Sequence, residues 1–154
     1  MTIADLVRED VVTVYADDTL LDVAEVLREE RVGSAVVLDG RGDPLGVVTD
    51  RDLVVYGQAF AGSLDRTIVN EILSIPVVSV GPDASVSELT ETMRDERVRR
   101  VPVIEDGDLL GIVTLDDVVV HLAAELDSEE LRNLAAVIEA ESPPRDDGGP
   151  ATGG

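Results

Sequence analysis

Gly46-Val47-Val48-Thr49-Asp50-Arg51-Asp52-Leu53 and Gly111-Ile112-Val113-Thr114-Leu115-Asp116-Asp117-Val118 are two copies of one signature. In each, a glycine and two aliphatic residues lead to a threonine, and a carboxylate follows three positions later. The match continues upstream. Val11-Val12-Thr13-Val14 answers Val77-Val78-Ser79-Val80, and Arg28-Glu29-Glu30-Arg31-Val32 answers Arg94-Asp95-Glu96-Arg97-Val98. The lead-ins agree as well, Ile3-Ala4-Asp5-Leu6-Val7 against Val69-Asn70-Glu71-Ile72-Leu73. Register holds to about Asp39/Glu105 and then shifts by one across a turn, where Gly42-Asp43 answers Gly107-Asp108. A length change confined to a turn is what two copies of one folded unit would show.

Within each copy the order of elements is the same. A short helix-like lead-in precedes a β-branched run at Val11–Val14 or Val77–Val80. A polar turn then places Thr19 or Ser85 as the N-cap of a helix. Leu20, Val23, Ala24 and Leu27 fall on one face of the first such helix, and Val86, Leu89 and Met93 on one face of the second. Two adjacent strands follow, Ser34–Leu38 with Gly46–Val48 and Val101–Ile104 with Gly111–Val113, each pair joined by a Gly/Asp turn. A second helix starts after each signature, from Arg51 and from Asp116. The expected fold is α/β: two β-α-β-β-α repeats packed sheet to sheet about a pseudo-twofold axis, because one copy alone is too small to cover both faces of its sheet. Expected bounds are 2–62 and 63–126 for the repeats, 127–141 for a C-terminal helix and 142–154 for a disordered tail. Gln58–Asp65 reads as an exposed connector.

Composition narrows the function. The chain of 154 residues holds 33 acidic and 12 basic residues, a formal net charge of -21, and every basic residue is arginine. Carboxylates spread along the whole chain suggest adaptation to molar salt, where the Debye length of roughly 3 Å at 1 M screens self-repulsion. That field argues against nucleic-acid binding, which needs basic surface. Without cysteine there is no disulfide, thiol nucleophile or thiolate metal site. No apolar run is long enough to span a membrane and no signal peptide is seen, which suits the cytoplasm. Neither a nucleophile–base pair, a metal cluster nor a phosphate-transfer loop is visible, so no catalytic residue and no metal ligand is assigned. His121, the only histidine, reads as a packed helix position, and Tyr15 as core or rim packing.

Both signatures place hydroxyl-x-x-carboxylate at a strand-to-helix junction. One reading is a capping box, with threonine and aspartate satisfying each other's backbone N–H groups. The other uses the same junction as a ligand site. The helix N-terminus and threonine hydroxyl would hold phosphate, and the carboxylate would accept from ribose hydroxyls. Gly46 or Gly111 would let a flat base approach the backbone.

The doubled Gly-hydrophobic-hydrophobic-Thr-x-x-Asp-hydrophobic signature, with Arg99-Arg100-Val101-Pro102-Val103 before the second strand pair, resembles the tandem CBS-domain family. The resemblance covers about residues 2–126. It implies a stand-alone regulatory pair with two clefts that bind AMP, ADP, ATP or S-adenosylmethionine and pass a conformational change to an unknown protein partner. It also implies a homodimer, with association carried by the helices around Ile3–Val7 and Leu131–Ile138. In one cleft it assigns Thr114 to phosphate, Asp117 to ribose and Ile112 to the base, joined by Thr13, Val32 and Gly33. In the other it assigns Val47, Thr49 and Asp52, with Ser79, Val98 and Arg99. Arg99 and Arg100 stand where copy one has Gly33 and Ser34. Their guanidinium groups suit phosphate, which makes the Thr114/Asp117 cleft the expected stronger site, with surface ion pairing to nearby carboxylates as the other role for Arg99 and Arg100. The competing function is a ligand-free structural or dimerisation module in which both signatures only cap helices.

Overall fold

The computed structural model describes residues 2–59, 63–73, 77–126 and 128–141. In the first repeat, β1 (Thr13–Tyr15) is followed by α1 (Leu20–Glu30), β2 (Ser34–Leu38), β3 (Pro44–Thr49) and α2 (Asp50–Ala59). In the second, α3 (Val86–Glu96), β4 (Arg100–Glu105), β5 (Asp108–Thr114) and α4 (Leu115–Glu125) follow, and α5 (Glu129–Glu141) closes the described chain. The expected caps form. Thr19 and Asp22 make a capping box on α1, and Ser85 and Glu88 make one on α3.

The sheets differ in one respect from the expected pattern. β1 pairs parallel with β2, and β2 antiparallel with β3, whereas β4 and β5 form a two-stranded sheet. The run Val77–Val80 is not a regular strand, and only Val80 bridges Val103. Proline explains the loss. The Val36 N–H donates to the Val12 carbonyl at 2.9 Å, but the counterpart of Val36 is Pro102, which has no N–H to give Val78. The one-residue shift between copies is likewise visible. Asp106 and Gly107 turn tightly with φ of 51 and 86. The longer first turn is closed by the Asp39 carboxylate, which accepts from the N–H groups of Arg41 (2.8 Å) and Asp43 (2.9 Å).

Two hydrophobic cores result, one per repeat. Val14, Leu20, Val23, Leu27, Ala35, Val37 and Val48 form the first, and Leu89, Met93, Val101, Val103, Val113 and Val118 the second. The lead-ins change places. Ile3 is buried in the second core and Val69 in the first. The Ile3 N–H donates to the Ala84 carbonyl and the Val69 N–H to the Asp18 carbonyl, both at 2.9 Å. The first lead-in therefore buries Ile3 in the other repeat's core, while Ala4 and Asp5 stay exposed. The connector is not wholly exposed: Leu64 packs against the first core, and its carbonyl accepts from the Leu21 N–H at 3.0 Å. The expected tail, 142–154, lies outside the described residues. Val36 is fully buried yet on the opposite face of β2 from Ala35 and Val37, where the space shared with the second repeat opens.

Candidate functional site: two unequal clefts between the repeats

Exchanged lead-ins and adjacent β3 and β4 leave a cleft at each signature. The first, of about 600 Å³, is lined by Val32, Gly33, Ile112 and Thr114, with Arg8, Arg31, Arg99 and Arg100 around it and Ile138 and Glu141 of α5 at its wall. The second, of about 700 Å³, is lined by Gly46, Val47, Thr49, Asp52 and Val98, with Arg51, Arg97, Arg99 and Arg100. Six arginines border the two clefts, half of the 12 basic residues in a chain of net charge -21. Arg31 and Arg97 occupy matching positions at the ends of α1 and α3, both in the left-handed region at φ 55 and 57.

Each signature forms its capping box. The Thr49 N–H donates to Asp52 Oδ2 at 2.9 Å, and the Asp52 N–H to Thr49 Oγ1 at 3.2 Å. The corresponding bonds at Thr114 and Asp117 are 3.2 and 3.1 Å. The two carboxylates then part company. Asp52 is half-buried and faces its cleft. Asp117 is buried and does not line the first cleft. Its Oδ2 also accepts from the Thr114 hydroxyl at 2.8 Å, and its Oδ1 accepts from Nε (2.9 Å) and Nη2 (2.5 Å) of Arg8.

Arg8 is delivered by the first lead-in, which lies along β5. The Arg8 N–H donates to the Ile112 carbonyl at 3.0 Å, and the Ile112 N–H donates back at 3.1 Å. Gly111 is what admits this backbone. A Cβ there would stand 2.4 Å from the Arg8 carbonyl oxygen and 2.4 Å from Val7 Cγ1. The close approach expected at Gly111 is therefore made by the chain's own lead-in rather than by a base.

Of the remaining sequence-assigned residues, Thr13 and Ser79 are exposed and outside the cleft linings. Arg99 makes an exposed pair with Asp116 at 3.4 Å. Arg100 reaches towards the first repeat, where a Cβ on Gly33 would lie 3.3 Å from its Nη2 and 3.3 Å from Asp50 Oδ2. Sequence reasoning missed Arg8, Arg31, Arg51 and Arg97 as cleft residues. The matched Arg31/Arg97 pair was available as a signal, and so was the unmatched Arg8. Tyr15 is exposed, and His121 Nε2 lies 3.4 Å from Glu125 Oε1 on α4. Among the described residues, no group of three or more His, Cys, Asp or Glu side chains is gathered to hold a metal ion. None of their helices is long and apolar enough to cross a membrane.

Comparison with known proteins agrees with this architecture. The CBS-domain family profile matches residues 3–58 and again 69–124. Hypoxic response protein 1 of Mycobacterium tuberculosis is 35% identical over 122 residues, 79% of this chain and 85% of that protein. The solved structure of Hypoxic Response Protein I, which holds two coordinated zinc ions, superposes with a TM-score of 0.71 at 31% identity, covering 79% of this chain and 98% of that one. A putative signal-transduction protein with CBS domains from Burkholderia ambifaria superposes with a TM-score of 0.75 at 28% identity, covering 83% and 98%. The CBS domain pair of protein MJ0100, solved with 5'-methylthioadenosine and S-adenosyl-L-methionine, shares the fold at 20% identity and a TM-score of 0.73, over 82% and 98%. With its profile matched twice over most of its length, the chain belongs to the CBS-domain family and carries two CBS repeats in tandem.

Proposed function

We propose that the protein is a non-catalytic regulatory module that binds an adenosine compound between its repeats and transmits occupancy to a protein partner. One observation carries the reading. In the second cleft a threonine hydroxyl and a half-buried carboxylate at the start of α2 face Arg97, Arg99 and Arg100 of the other repeat. Asp52 would accept from the ribose hydroxyls, and the helix N-terminus with Thr49 would meet phosphate. The arginines would supply charge-assisted donors that an otherwise acidic chain lacks. Val47, Ile72 and Val78 give the apolar wall that a purine needs. Because both repeats line the cleft, a ligand that prefers one relative placement of the repeats shifts their equilibrium by its differential affinity. In this reading the chain works as a homodimer. Val54 and Val55 of α2 and Leu134 and Val137 of α5, all exposed, offer the apolar surface.

Isothermal titration in about 2 M KCl with AMP, ADP, ATP and S-adenosylmethionine, and GTP as control, tests it. Saturable heat for an adenosine compound that disappears in Asp52→Ala is the expected result. Silence from a folded protein rejects it and favours the second reading, a structural module. That alternative has its own support in the completed capping boxes of both signatures.

A further inference from the structure

We infer that Arg8 decides which cleft takes a ribonucleoside, by sealing the Asp117 carboxylate so that only the Asp52 cleft presents a ribose acceptor. The inference rests on the functional reading above and adds to it a specificity residue outside both signatures.

The geometry is direct. Binding a ribose diol needs a carboxylate oxygen that two hydroxyls can reach. Both oxygens of Asp117 are engaged, Oδ2 by Thr114 and Oδ1 by two nitrogens of Arg8. Arg8 lines the first cleft, whereas Asp117 does not and instead borders, with Arg8, a separate pocket beside Val120 and His121. Its main chain is fixed by the paired bonds to Ile112, so the side chain is aimed at Asp117 by the backbone it hangs from. Side-chain exposure is 28% for Arg8 and 2% for Asp117, so water competes weakly for the carboxylate. A ribose would have to displace two charge-assisted hydrogen bonds on Oδ1 with neutral hydroxyl donors, an unfavourable exchange.

Sequence makes the seal one-sided. The offset that pairs Val11 with Val77 pairs Arg8 with Ser74, a residue with no cationic group to offer Asp52. Among the described residues the Asp52 side chain has one hydrogen-bond donor, the Thr49 N–H on Oδ2. Among the described residues, the same signature therefore has an arginine-paired carboxylate at Asp117 and none at Asp52.

Titration with whichever of AMP, ATP and S-adenosylmethionine gives saturable heat tests this through stoichiometry. Wild type is expected to bind one ligand per chain, and Arg8→Gln, which shortens the side chain and removes its charge, two. Asp117→Ala placed in the Arg8→Gln background should return the count to one. Two sites in wild type, or one site in folded Arg8→Gln, overturns the inference and leaves the functional reading standing. Should Arg8→Gln fail to fold, Asp52→Ala alone decides: no heat is expected, and residual binding overturns the seal. Silence from wild type with binding in Arg8→Gln overturns the inference as well, since the Asp52 cleft should bind without any change at Arg8. Silence from both proteins, shown folded, rejects the inference and the functional reading together.

Discussion

Arg8 and Asp117 stand 109 positions apart in the chain and 2.5 Å apart in the fold, with the carboxylate 2% exposed. They tie the segment preceding the first repeat to the signature of the second. Removing one partner leaves a buried charge unpaired, so Arg8→Ala should cost about 3 kcal/mol. The surface pair Arg99–Asp116, at 3.4 Å with side chains 70% and 43% exposed, should contribute under about 1 kcal/mol. Salt separates them. Double-mutant cycles in dilute buffer and in about 2 M KCl should keep the Arg8–Asp117 coupling and erase that of Arg99–Asp116, since screening reaches only solvent-exposed charges. Loss of both couplings would mean that the Arg8 pair is hydrated in solution.

The exchanged lead-ins make each core depend on the other repeat's sequence. Ile3 is fully buried among Leu89, Val101 and Val113. Ile3→Ala should cost about 3 kcal/mol, and amide exchange should locate the loss in β4, β5 and α3 rather than in the first repeat. Loss confined to residues of the first repeat would contradict the exchange.

Sequence pattern was sufficient for the repeat, the four hydroxyl caps and the helices, because each is set within about four residues by a capping box or a helical period. It was not sufficient for the exchange. Ile3-Ala4-Asp5-Leu6 and Val69-Asn70-Glu71-Ile72 have the same local pattern, and which core each enters is decided by contacts tens of residues away. The cleft residues Val47, Thr49, Ile112 and Thr114 could be placed from the signatures. The state of Asp117 could not, since it depends on Arg8, whose signal is only a mismatch with Ser74. The shortened strand at Val80 was legible in principle from Pro102, because β-branched propensity at Val77–Val80 cannot replace a missing donor.

That argument predicts a gain of structure. Pro102→Val supplies an N–H opposite the Val78 carbonyl and should extend the Val80 bridge into a parallel strand matching β1. Slowed amide exchange at residue 102 and a new strand contact to Val78 by NMR would show it. Exchange as fast as in an exposed loop would mean that something other than the proline shortens the strand.

The caps carry a pH dependence. Glu88 accepts from the Ser85 N–H at 2.7 Å, and that bond, with the Ser85 side chain, holds its carboxyl below the ordinary glutamate range. A carboxylate whose pKa is lower folded than unfolded adds stability above the unfolded value and loses it as pH falls through the folded one. Unfolding midpoints followed from neutral pH to about pH 3 should therefore fall less steeply in Glu88→Gln than in wild type. Asp39, held low by the Asp43 and Arg41 N–H groups, should show the same sign in Asp39→Asn. Equal slopes in variant and wild type would rule out a cap contribution in acid.

Arg31 and Arg97 sit where helices commonly end in glycine, and the left-handed conformation costs a residue with a Cβ about 1 kcal/mol. Both nonetheless line the clefts, Arg31 the first and Arg97 the second. Strain of this kind persists where a side chain is needed at that point. Arg97→Gly should therefore stabilise the fold by about 0.5 kcal/mol, after the glycine's greater chain entropy is set against the relieved strain, while weakening phosphate-bearing ligands in the Asp52 cleft by roughly tenfold, as loss of one charge-assisted hydrogen bond would. Arg31→Gly should give the same stabilisation with no change in affinity, because its cleft is the sealed one. Thermal unfolding and titration on the same two variants check both halves. Equal losses of affinity in Arg31→Gly and Arg97→Gly would show that the arginines act through the overall field rather than through the cleft each one lines.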